Sequence, residues 1–175
     1  MPDRSREDTE ARRAWIQAAL AQHERALTVY ATRLLGELER ARDVVQETFL
    51  RLWEADRQEV GDHVAAWLFT VCRHRALDVL KKERRMLPVP NPRPAHPPDS
   101  GQTPFDAVLQ EERQGLALKA LERLPERQRE LVRLKFQAGL SYDEIARVTG
   151  LTTSNVGYLL HTALKAVRSH LGSES

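Results

Sequence analysis

Apolar residues recur along this chain at helical spacing, and nowhere do they alternate with period two for long enough to make a strand. Ile16, Leu20, His23, Leu27, Tyr30 and Leu34 are separated alternately by four and three residues. That spacing predicts one face of a helix, which Gly36 ends. Ala41, Val45, Thr48 and Leu52 repeat it, with Val44 and Phe49 widening the face. DRQEVGDH, residues 56–63, breaks the pattern and reads as a loop. A third helix is expected from about Val64 to Arg85, with Val64, Leu68, Val71, Cys72, Ala76 and Val79 along one side.

Further on, the periodicity predicts four shorter helices: about Phe105 to Leu124, Glu126 to Gln137, a short one after Ser141, and a last one reaching about His170. Seven of the nine prolines stand between residues 88 and 104, in PVPNPRPAHPPDSGQTP. Proline fixes φ, removes a backbone donor and turns the preceding residue away from helix. The stretch therefore reads as a semi-extended linker. The expected fold is all-α, with two small helical domains, 1–87 and 105–175, joined by the Pro-rich linker 88–104. Each half is near the lower size limit for an independent core.

Ser141-Tyr142-Asp143-Glu144 has the form of a capping box, a serine N-cap with glutamate three residues on. Gly150 suits a left-handed C-cap, and Thr152 or Thr153 then caps the last helix. Ile145 and Ala146 should face the preceding helix, Leu151 should plug the turn, and Val156, Leu160 and Val167 should pack inward. Two helices about a tight glycine turn make helix-turn-helix geometry, although a plain helical hairpin satisfies the same caps and spacings.

Composition narrows the class. The chain has 175 residues, 41% hydrophobic and 30% charged, with one cysteine and a formal charge of +2. Its apolar runs are too short for a transmembrane helix, and the N-terminus lacks the apolar core of a secretion signal. No membrane insertion and a cytoplasmic location are expected. The lone Cys72 excludes an internal disulfide and a Cys-rich zinc site, and lies on an apolar stripe where a buried thiol is inert. No phosphate-binding glycine loop, metal-ligand spacing or catalytic carboxylate pair is present. No catalytic residue, metal or cofactor is expected, and the chain does not read as an enzyme.

Charge is unevenly distributed. Residues 36–62 carry eight acidic against four basic side chains, and residues 73–85 carry six Arg/Lys against two acids. Asp43, Gln46, Glu47 and Arg51 sit at helical spacings that bring most of them to one side. That face is either a solvated one laced by i,i+4 pairs or a docking face for a basic partner. The basic segment is either a helix end favoured by the macrodipole or a phosphate-contacting stripe. Residues 113–135 add seven basic against three acidic side chains, among them Arg127, Arg129, Arg133 and Lys135 just before the helix-turn-helix.

Three segments, DVVQETFLRLW, AAWLFTVCRHRALDVLKK and LPERQRELVRLKFQAGLSYDEIARVTGL, occur in this order about the Pro-rich spacer. Together they resemble the extracytoplasmic-function (ECF) sigma factors of bacterial RNA polymerase. The resemblance covers nearly the whole chain and implies a transcription initiation factor that binds core RNA polymerase and promoter DNA. It implies docking on the polymerase clamp helices by Asp43, Gln46, Glu47 and Arg51. Recognition and melting of the −10 element would fall to the 56–63 loop with Arg73, His74, Arg75, Lys81, Lys82, Arg84 and Arg85. Trp67 suits either the core or a stacked base, and His74 stands where the family often has Asn.

By the same resemblance the helix-turn-helix would read the −35 element, through Arg127, Arg133, Ser154, Asn155, Tyr158, His161 and Lys165. Here the sequence departs from the family: Gly157, Leu159, Thr162 and Leu164 replace basic or polar residues. Weak or atypical −35 reading is the expectation, with Gly157 allowing close backbone approach. The family often has an anti-sigma factor as a further partner. A free-standing helix-turn-helix regulator would leave the acidic and basic helices without a role. A protein-docking adaptor with weak DNA binding would leave the basic segment without one.

Overall fold

A computed structural model describes residues 4–86 (side chains from 8), 115 and 117–172. The described residues form two compact units, the first holding 4–86 and the second built around the helices after 117. No strand occurs among them. The Pro-rich stretch, both of its proposed boundaries and most of the expected Phe105–Leu124 helix lie outside the described residues, although 117–122 are helical.

The first unit contains α1 (Arg4–Leu35), α2 (Leu38–Glu54), α3 (Arg57–Val60) and α4 (Val64–Met86). Helices α1, α2 and α4 pack on one another in a three-helix arrangement. Gly36, at φ 80, makes the sharp turn from α1 into α2. The core face of α2 is the expected one, with Ala41, Val44, Val45, Thr48, Phe49 and Leu52 all buried. From α4 come Ala66, Leu68, Phe69, Cys72 and Ala76. Phe69 meets Tyr30 of α1 edge-on, with ring centroids 5.4 Å apart. Thr48 is buried without loss, because its hydroxyl donates to the Val44 carbonyl at 2.7 Å. Burial also pushes the Cys72 thiol up to about 12, against a smaller opposing effect of its hydrogen bond with Thr48.

Three expectations about this unit need correction. The buried stripe of α1 is Ala19, Leu27, Tyr30, Ala31 and Leu35, whereas Leu20 is 38% exposed and Ile16 and Leu34 are half-buried. Alternate spacing by four and three has a period of 3.5, and a straight helix turns every 3.6 residues, so the stripe drifts around the cylinder. Residues 56–63 are not loop throughout. Asp56 caps α3 by accepting from the Gln58 amide at 2.9 Å, Val60 buries itself, and Gly61 at φ 56 ends the turn. In α4, Val64, Val71 and Val79 are only half-buried, and Ala66 and Phe69 take inward positions instead.

The second unit contains α5 (Glu126–Phe136), α6 (Tyr142–Thr149) and α7 (Thr153–Gly172). Leu131, Val132 and Leu134 of α5 are buried with Leu140, Ile145, Val148, Val156, Leu160 and Ala163. Ala163 takes an inward place, while Ala146, Leu151 and Val167 are half-buried. Local signals act as expected. The Ser141 hydroxyl accepts from the Glu144 amide at 3.2 Å, and the Glu144 carboxylate accepts from the Ser141 amide at 2.8 Å. Gly150 is left-handed, at φ 71 and ψ 16. Thr152 is the cap of α7, accepting from the Asn155 amide at 3.2 Å. The neighbouring Thr153 hydroxyl instead donates to Asp143 at 2.8 Å, tying the start of α7 to the first turn of α6.

Candidate partner and nucleic-acid surfaces

On α2 the side opposite the core presents Asp43, Gln46, Leu50 and Trp53. All four are exposed, Leu50 to 58% and Trp53 to 38%. Sequence reasoning missed the last two. The signal was there, because both fall off the buried stripe at the same three- and four-residue spacing as Asp43 and Gln46. Glu47 and Arg51 lie on the flank instead. Glu47 accepts from Arg75 of α4 at 2.5 Å, and Arg51 stands 3.8 Å from its other oxygen. Two residues that the sequence assigns to different jobs, Glu47 and Arg75, are therefore partners across α2 and α4.

A second ion pair shapes the end of α4. Glu83 is the acidic residue within KKERR, and it pairs with Arg40 of α2, which also holds Glu37 at 3.1 Å. With Glu83 turned onto Arg40, Lys81, Lys82, Arg84 and Arg85 remain exposed as a block of positive charge. His74, Asp78, Lys81, Lys82 and Arg85 follow one side of the helix by spacing, and all are exposed. Arg73 is half-buried and already engaged within the fold. Trp67 is half-buried, and its amide bonds to the His63 carbonyl at 2.9 Å.

In the second unit Ser154, Tyr158, His161 and Lys165 share one exposed stripe along α7, with Asn155 exposed beside it. Tyr158 is 69% exposed. Arg168 extends the stripe by one more turn and is a cation that sequence reasoning overlooked. Of the α5 cations, Arg127 is exposed, while Arg133 is half-buried and engaged. Arg129 donates to the Leu124 carbonyl at 3.0 Å, and Lys135 donates to that of Leu140 at 3.3 Å and lies over the Tyr142 ring. Gly157 faces that same ring: a Cβ there would sit 3.5 Å from the Tyr142 edge, an ordinary contact. Its backbone thus abuts Tyr142 of its own unit. Among the described residues no acidic, histidine or cysteine cluster could hold a metal ion, and no helix is long and apolar enough to cross a membrane.

Residues 19–86 match Sigma-70 region 2, and residues 114–167 match Sigma-70, region 4. Over 161 residues the chain is 32% identical to the ECF RNA polymerase sigma factor SigL of Mycobacterium tuberculosis, covering 90% of this chain and 89% of that one. The chain belongs to the ECF sigma factors. It is a transcription initiation factor that directs RNA polymerase to promoters. The ECF RNA polymerase sigma factor EcfG of Rhodopseudomonas palustris is 34% identical over 134 residues, 75% of this chain and 71% of its own.

Two solved structures share the fold of this sigma factor. RpoE, in complex with the anti-sigma factor NepR from Bartonella quintana, gives a TM-score of 0.65 at 23% identity, over 91% of this chain and 98% of that one. CnrH, in complex with the cytosolic domain of CnrY, gives 0.58 at 22% identity, over 91% and 89%. Within the sigma factor, region 2 coincides with α2–α4 and the second half of α1, and region 4 includes α5, α6 and most of α7. The first fifteen described residues of α1, 4–18, precede the region 2 match.

Proposed function

We propose that the two regions divide the work as follows. Residues 1–87 form the polymerase-docking and −10 domain, 88–104 a linker, and 105–175 the −35 domain. The outer face of α2, with Asp43, Gln46, Leu50 and Trp53, docks on a basic and partly apolar surface of core polymerase. Glu47 and Arg51 flank that contact. The basic end of α4, with Lys81, Lys82, Arg84 and Arg85, holds phosphates of the freed −10 strand, and the 56–63 segment with His74 meets its bases. Arg75 supports that helix through Glu47, and Arg73 lies next to it.

One observation carries this reading: the pairing of Glu83 with Arg40. It separates charge within one small unit, leaving a positive block at the end of α4 and an acidic residue on the outer face of α2. Different surfaces of one domain are then suited to DNA and to protein. In the second unit, Ser154, Asn155, Tyr158, His161 and Lys165 enter the major groove, and Arg127 and Arg133 lie toward the phosphate backbone. With so few cations on that stripe, −35 binding has a shallow salt dependence. The chain performs no chemistry itself and acts in the cytoplasm. An anti-sigma factor, such as NepR is for RpoE, would compete with polymerase for these faces.

The test is core polymerase binding by the full chain and by the variant carrying Asp43→Arg and Gln46→Arg. Both positions are exposed, so folding should survive, as circular dichroism would verify. Affinity should fall about 30-fold or more, equivalent to about 2 kcal/mol. Unchanged affinity in a folded variant would remove the α2 face from the docking surface.

A further inference from the structure

Residues 4–18 of α1 lie upstream of the region 2 match, yet they reach onto the joint between α2 and α3. Two contacts make that reach. Arg12 Nη2 donates to the Ala55 carbonyl at 2.8 Å, across 43 positions of chain. The Arg57 guanidinium lies over the Trp15 ring, 5.5 Å from its centroid. Ala55 is the C-cap of α2 and Arg57 the first residue of α3, so α1 holds both ends of the joint. Arg12, Trp15, Trp53 and Arg57 wall a cleft of about 420 Å³ there.

Helix α3 has four residues, a single turn that cannot persist on its own hydrogen bonds. Buried Val60 anchors its far end. At its near end the carbonyls of α2 have no partners in their own helix, and a cation there is favoured by both hydrogen bonding and the helix dipole. Arg12 supplies that cation from a different helix.

We infer that Arg12 and Trp15 are positioning residues for promoter opening: they hold the 56–63 segment in the geometry in which it meets the −10 strand. The inference rests on the role proposed above for that segment. Activity scales with the fraction of molecules in the competent geometry. Losing one hydrogen bond or one cation–π contact should therefore slow opening about two- to fivefold, and losing both about tenfold.

The experiment uses the full chain assembled with core polymerase. Its DNA probe is a fork junction that the unaltered holoenzyme selects from a library randomised across the −10 window. Arg12→Ala, Trp15→Ala and the double variant are compared by amide exchange, by core affinity and by opening rate, the last read from a fluorescent base in the −10 strand. The Glu59, Val60 and Gly61 amides, bonded to the Asp56 and Arg57 carbonyls, should exchange faster. Opening should slow at unchanged core affinity, and Arg12→Lys and Trp15→Phe should recover most of it.

Unchanged exchange and opening, where Asp56→Ala does slow opening, would overturn the positioning role and leave the role of the segment intact. If Asp56→Ala is also without effect, that role falls and the inference with it. Loss of core affinity or of helix content in parallel with opening would assign Arg12 and Trp15 to stability alone and overturn the inference.

Discussion

The two units organise their charges differently. In the first, the ion pairs Glu47–Arg75 and Arg40–Glu83 join α2 to α4, between residues far apart in sequence. In the second, these polar contacts about α6 and α7 sit at helix ends: Ser141 with Glu144 and Thr152 with Asn155 within one turn, and Asp143 with Thr153 between the two helix starts. The first unit thus sets its outward electrostatics by tertiary packing, since those pairs determine which charges stay exposed. The second sets its shape by helix-end chemistry, and its outward stripe follows from helix period alone. A change to a paired charge in the first unit should alter a neighbouring surface, whereas a change to a cap in the second should alter only stability.

Three experiments test that contrast. The largest effect is expected from Leu160→Ala. Leu160 is fully packed where α7 meets the core, so truncation should cost about 2–5 kcal/mol. Thermal denaturation, with amide exchange of 126–172 to locate the loss, measures it. A cost below about 1 kcal/mol would mean that α7 is held by its caps more than by its core.

Ser141→Ala comes next. Removing one half of the capping box should cost about 1 kcal/mol and leave DNA contacts on α7 untouched. Denaturant titration gives the first quantity, and DNA affinity at fixed salt gives the second. The smallest effect is expected at Glu47 and Arg75. Their side chains are 37% and 30% exposed, so solvent screens the pair, and a double-mutant cycle with Glu47→Gln and Arg75→Gln should give a coupling of about 0.5–1 kcal/mol. That coupling should shrink in high salt. A coupling near zero would mean that the pair orients α2 and α4 without stabilising them.

Where periodicity and caps decide structure, the sequence was legible. The inward face of α2, the capping box at Ser141, the left-handed Gly150 and the exposed line from Ser154 to Lys165 each follow from contacts within a few residues. The drift of the α1 stripe was not legible, because a small mismatch of period accumulates over a 32-residue helix. Nor was the turn at Arg57–Val60, which is too short to show periodicity and depends on Asp56, Val60 and Gly61 acting together. Leu50 and Trp53 were passed over as site residues although their spacing places them with Asp43 and Gln46, because an apolar side chain on a solvent face carries no charge to mark it.

By itself, then, the sequence determined the helical class, most of the helix ends and the family, all of which rest on short-range rules and ordered motifs. The tertiary structure alone decided which charges are free to act. Arg75 and Glu47 neutralise each other across two helices, Glu83 is drawn onto Arg40, and Arg12 crosses from α1 to Ala55. Such pairings depend on which helix faces bring distant residues within hydrogen-bond reach. Spacing along one helix does not contain that information.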